Sequence, residues 1–459
     1  MDMIEAFERA AQGQVQRREL WGWCAVAVGA LAIAGVFALL LALSRTPGVQ
    51  DIVPWPLEFF GKALVIHVVF AFVIWFLAVF GAGLHVAVWQ VTPEGQTNRP
   101  QYEFAGRAGL LATAVACVLL FVPALLDRGE PTLNNYIPAI IDPVYYLGLG
   151  VLAVGLALPV FRLVVTPFRQ PADTFSISVA SGAVVFMLAL ICFGLALNEL
   201  AGEPPSHAFN EELFWGGGHM LQFLSTVIMI GAWSVLARIS LGCDMAPRRV
   251  LIGAMVFLVA CALPAPAFYF IYPPFSGEQT SAFSALLWAL GPPTSVLAVF
   301  AGRTILRYRK DQALPWGDPA FLCLVLSITV FGIGGVLGMF IDGTDTRTPA
   351  HYHGVIAGVT LAFMGLFFRF FLPLLGRTVG RVRFLIWAFA GGQTLASLGL
   401  FLAGGYGAPR KVAGEAQGLD EMGAIVGMAM NGFGALIAVV GGVMFIWVCA
   451  RRLLSTVDG

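Results

Sequence analysis

Charge is the scarcest commodity in this chain. Of its 459 residues, 26 are Lys or Arg and 26 are Asp or Glu, 11% together, against about 25% in soluble domains. That deficit excludes an ordinary soluble enzyme. With 59% hydrophobic residues and a mean hydropathy of +0.84, the composition is that of a membrane protein. Neither sign predominates: the formal net charge is zero and there is no basic tail, so nucleic acid is excluded as a partner. Paired cysteines are missing too. Cys24, Cys117, Cys192, Cys243, Cys261, Cys323 and Cys449 stand singly in apolar runs with no CxxC. This excludes zinc-ribbon, iron–sulfur and covalent c-haem sites and leaves small core residues. No polar stretch is long enough for a soluble domain.

What is present is a succession of apolar windows, each about twenty residues long. They predict an all-α polytopic protein with twelve transmembrane helices at 21–44, 60–90, 107–126, 137–160, 175–198, 212–238, 249–271, 281–302, 317–341, 351–375, 384–404 and 424–449. Residues 1–20, with Glu5, Glu8, Arg9, Arg17 and Arg18, read as a cytoplasmic amphipathic helix, 21–452 as the membrane domain and 453–459 as a cytoplasmic tail. One set of span ends collects the arginines, among them Arg99, Arg162, Arg169, Arg238, Arg303, Arg377 and Arg451. The other set is acidic or mixed, with Asp51, Asp127, Glu199, Glu211, Asp342 and Asp420. Both termini are therefore expected in the cytoplasm, and an even span count agrees.

Histidine is rare, six in all, yet four fall at one depth under the outer face. His67 lies in the second span, His219 in the sixth, and His351 and His353 open the tenth in Pro349-Ala350-His351-Tyr352-His353-Gly354. Ionisable groups inside apolar segments signal function. On a helix, residues two apart point about 200° away from each other. One metal is thus hard for His351 and His353 to share, and two centres on opposite sides of the helix are easy.

Twelve spans with His in the second, sixth and tenth, the last as HxH, resemble subunit I of the heme–copper oxidase superfamily over nearly the whole chain. The resemblance implies two b-type haems. His67 and His353 would be the axial pair of a low-spin haem, and His351 the proximal ligand of a high-spin haem that handles gas. Gly405-Tyr406-Gly407-Ala408-Pro409-Arg410-Lys411 looks like the family's Met-Pro-Arg-Arg loop, whose cations hold haem propionates. Arg410 fits the first cation, and Lys411 replaces the second without its bidentate fork.

The chain also departs from the family. Glu212-Leu213-Phe214-Trp215-Gly216-Gly217-Gly218-His219 resembles the sixth-span motif whose histidine binds copper. The family's His-His pair, however, would fall near Phe268-Tyr269-Phe270. Neither copper nor a non-haem iron has its donor set on this count, with Gln222 and Glu278 poor substitutes. Three roles for His219 stay open: residual metal ligand, distal hydrogen-bond partner, or direct iron ligand. The lysine and glutamate of the family's proton paths are replaced by Leu297 and Leu221, and no file of carboxylates enters from the cytoplasmic side, so no efficient pump is expected.

The resemblance implies an oxidoreductase in the bacterial cytoplasmic membrane, haems near the outer side, passing electrons from a quinol or cytochrome c-type donor to O2 or NO. A haem electron-transfer or gas-sensing subunit without turnover is the alternative. A twelve-span transporter would call for broken helices and a mid-depth charged site. His85, about 27 Å along the second span from His67, reads as a helix contact, and His207 as a surface residue. Asp345 and Arg347 are either propionate neighbours or parts of an outer turn.

Overall fold

The computed structural model describes residues 14–52, 59–91, 100–166, 172–341, 343 and 345–455. Arg99, Arg169, Asp342 and the expected helix over residues 1–13 lie outside them. Twelve helices are long and apolar enough to cross a membrane: Val15–Arg45, Phe60–Gln90, Glu103–Leu125, Pro143–Val165, Thr174–Glu199, His207–Leu241, Arg248–Ile271, Gly277–Asp311, Pro319–Gly338, Arg347–Leu374, Arg383–Gly405 and Met422–Leu454, here spans 1 to 12. Helices close every main-chain hydrogen bond within themselves, which the interior of a bilayer demands.

Neighbouring spans pack in pairs, 3 with 4, 5 with 6, 9 with 10 and 11 with 12, and span 1 packs on both 2 and 12. Burial separates the spans sharply. Spans 6, 10 and 2 are 94%, 83% and 78% buried over their most apolar windows, whereas spans 1, 3, 7, 8 and 12 reach at most 33%. The three helices carrying the clustered histidines are therefore the innermost ones. Two of them are locally underwound into π-helix, at Val69–Ile74 just after His67 and at Phe367–Phe371 in span 10.

Span 4 begins later than expected, at Pro143 rather than 137. Its first predicted residues form an antiparallel hairpin instead, β1 (Glu130–Thr132) with β2 (Ala139–Ile141), on the face opposite the termini. Asp142 then caps the helix by accepting from the Val144 N–H, and Pro143 occupies the first helical position, where no N–H is needed. Residues 14–20 do not form a separate amphipathic helix, since the helix Gln14–Arg45 runs through them. At the other end, helix continues through Leu454.

His85 proves to be a helix contact. Its Nδ1 lies 2.7 Å from Glu19 Oε1 in span 1, and its Nε2 lies 3.0 Å from the Gln16 carbonyl. Arg162 of span 4 reaches the same carboxylate at 3.0 Å. His85, Glu19 and Arg162 thus join spans 1, 2 and 4 at the end nearer Gln14.

Candidate cofactor site

His67 and His351 are prepared in the same way. His67 Nδ1 lies 3.1 Å from the Ala34 carbonyl, and His351 Nδ1 lies 2.8 Å from the Gly334 carbonyl. A carbonyl only accepts, so each Nδ1 carries the proton and each Nε2 keeps a bare lone pair. That tautomer, anchored from behind, is the form in which imidazole binds a metal.

The two histidines of the HxH face apart. His351 turns to span 9, where it packs against Gly338 and where Gly334 and Gly354 bring the two helices into close contact. His353 turns to the other side, within electrostatic reach of His67 and Arg45 and beside the Gln393 side chain of span 11. Protein surrounds this level, yet His67, His351 and His353 each keep part of their surface open, and Tyr352 is 37% exposed. Open surface deep inside a bundle marks an internal crevice.

A cation that sequence reasoning missed lies in this crevice. Arg45, at the end of span 1, donates from Nε to the Val412 carbonyl at 3.3 Å and sits 5.5 Å over the Phe60 ring. Arg45 and Arg410 both act on Tyr352, and among the described residues neither is paired with a carboxylate. The signal was available: Arg45 is a cation on the face where cations are few. Asp345 and Arg347, by contrast, pair with each other at 2.6 Å, and a bridge from Asp345 to Pro409 holds the cationic loop against the start of span 10. Lys411 turns away from this group. Its Nζ donates to the Leu133 carbonyl of the hairpin, and burial together with Arg410 pushes its pKa down to about 8, with Glu211 opposing.

His219 belongs to a second cluster, built from other neighbours. Its Nδ1 donates to the Trp215 carbonyl at 2.6 Å, and its Nε2 accepts from the Tyr136 hydroxyl at 2.8 Å. Tyr136 comes from the hairpin and was not anticipated. Burial and nearby Glu211 push its hydroxyl up, so it stays a donor. Trp215 and Phe283 close around the imidazole, with centroids at 5.1 and 5.8 Å. Beyond them a cavity of about 320 Å³ opens among His207, Glu211, Glu212, Tyr269 and Gln279. His207 is exposed, as a surface residue should be.

The fold and these buried imidazoles define a class, a twelve-span helical membrane protein with metal-competent histidines gathered near one face. The chain belongs to the cytochrome c and quinol oxidase polypeptide I family, whose model matches residues 20–444. It resembles a heme–copper terminal oxidase dimer of known structure with a TM-score of 0.77 at 12% identity, covering 97% of this chain and 85% of that one. Among curated proteins it is 24% identical to an uncharacterized protein of Rickettsia prowazekii over 94% of this chain and 95% of the relative. It is 29% identical to another from Aquifex aeolicus, over 77% and 84%.

The family implies haem, and the residues fit it. Anchored imidazoles at His67 and His351, surface left open at both, and the cations Arg45 and Arg410, which among the described residues pair with no carboxylate, are what porphyrin irons and propionates require. At His219 both nitrogens are engaged, Nδ1 by the Trp215 carbonyl and Nε2 by the Tyr136 hydroxyl, so neither is offered to a metal in this arrangement.

Proposed function

We propose that this protein is a membrane haem oxidoreductase that takes electrons from a quinol or a cytochrome c-type donor, through a separate subunit, and delivers them to O2 or NO without copper and without proton pumping. The opposed orientation of His351 and His353 on one helix carries the reading. His67 and His353 would clamp a low-spin b-type haem, with Arg45 and Arg410 as partners for its propionates. His351 would hold a high-spin b-type haem from one side only. Haem, when bound, supplies the electron relay and an iron position open to gas. The chain supplies fixed tautomers, a dry aromatic wall at Trp215 and Phe283, and a cationic rim. The setting is a bacterial cytoplasmic membrane, with both termini inside and the histidines toward the outside.

The closed copper position also supports a second reading, a haem electron-transfer or gas-sensing subunit without turnover. Purification with metal analysis and reduced-minus-oxidised spectra, with and without CO, separates the two. Two haems and a CO-induced shift, with O2 or NO consumed under an artificial reductant, support the oxidoreductase. A CO shift without gas consumption supports the sensor, haem with no CO shift supports pure electron transfer, and absence of haem defeats both.

A further inference from the structure

A family histidine that ligates copper must offer a lone pair to the metal. Here the Nδ1 of His219 is committed to the Trp215 carbonyl at 2.6 Å, and the lone pair on Nε2 takes the Tyr136 hydroxyl at 2.8 Å. We propose that His219 is a latch, holding Tyr136 where the family holds copper, and that the hairpin carrying Tyr136 is the lid over the gas site. The proposal rests on the reading that the haem held by His351 handles gas, and adds that it does so on the side facing His219.

Several independent ties place the tyrosine there. Asn135 donates to Glu211 twice, from its main-chain N at 2.9 Å and from Nδ2 at 2.5 Å. Lys411 holds the Leu133 carbonyl, and buried Asn210 donates to Thr132 at 2.9 Å while accepting from Tyr146. Gly218 leaves the necessary room, since a Cβ there would lie 2.5 Å from Tyr136 Cβ. Tyr136 itself has φ of 64°, a left-handed conformation that a bulky residue adopts only when its surroundings impose it. The strain, the clamp and the glycine all act to bring one hydroxyl onto one imidazole nitrogen.

The test uses the haem-loaded protein from cells grown with added copper, with copper content and CO recombination after photolysis as readouts. The proposal expects no stoichiometric copper. Tyr136→Phe and Glu211→Ala each remove tethering from the lid, so CO should rebind roughly fivefold faster, the population shift that follows loss of one net hydrogen bond. His219→Gln should stay near the wild-type rate, because the glutamine carbonyl can still accept from Tyr136, whereas His219→Ala should match Tyr136→Phe. A metal ligand would not be rescued by Gln. One copper per chain overturns the proposal, as do unchanged CO kinetics in Tyr136→Phe and Glu211→Ala with intact haem spectra. If the wild type has no CO-reactive haem, the gas-site reading fails and takes the lid with it. A CO shift with indifferent variants defeats the lid alone.

Discussion

At the scale of single residues, the anchored Nδ1 atoms of His67 and His351 determine which nitrogen can meet a metal, and this makes the histidines separable by mutation. His351→Ala should abolish the CO-reactive signal and leave the low-spin band. His67→Ala should remove the low-spin band, and survival of both bands in either variant would refute the ligand assignment. Lys411 offers a pH test. Its pKa in the folded protein, about 8, is below the ordinary 10.5, so the folded state binds its proton less well than the unfolded chain does. Below pH 8 the full cost of holding that charge is present. Between pH 8 and 10.5 the cost is relieved, and stability from this group rises with pH. The melting temperature of the wild type relative to Lys411→Met should therefore increase across that window, and a constant difference would show that the group is unperturbed. The candidate ligands were legible at this scale because imidazole is rare in apolar segments. The scarcity of cations on the outer face marked Arg45 as a candidate, but its partner 367 residues away was not legible, nor was Tyr136, 83 residues from His219, since no local pattern marks such pairs.

Among elements, the hairpin shows where hydropathy fails. Its second strand, Ala139–Ile141, is apolar enough to be counted into span 4, and only the Asp142 cap with Pro143 marks the true start. Glycine spacing governs the seam between spans 11 and 12. Gly392 and Gly399 meet Gly434 and Gly427 so closely that a Cβ on any of them would strike main-chain atoms of the facing helix. Seven-residue spacing of small residues keeps one face aligned along the pair. Gly434→Val should cost about 3 kcal/mol by overpacking, seen as a lowered unfolding midpoint in detergent, and a neutral result would show the seam to be soft. At the opposite end of the bundle, Glu19→Ala would leave the Arg162 guanidinium and His85 buried together without their carboxylate. Breaking such a buried pair costs about 3 kcal/mol or more, so the variant should unfold earlier in the same assay.

For the molecule as a whole, the even span count places both ends on one face, and the arginine-rich ends share it. A fluorescent protein fused after Leu454 should fold, and a periplasmic reporter placed in the loop between spans 11 and 12 should be active. The reverse pattern would invert the topology and put the histidine level on the cytoplasmic side. The number of spans and their order were determined by the sequence by itself, as was the expectation that His67, His219, His351 and His353 share a depth. A twenty-residue apolar run has no soluble alternative, and depth along a helix is a matter of counting residues. Only the tertiary structure decided which faces those side chains present, that Arg45 lines the crevice while Lys411 serves the hairpin, and that Tyr136 closes on His219. Each of these depends on helices distant in sequence packing side by side, and packing is set by the fit of surfaces rather than by any repeat along the chain.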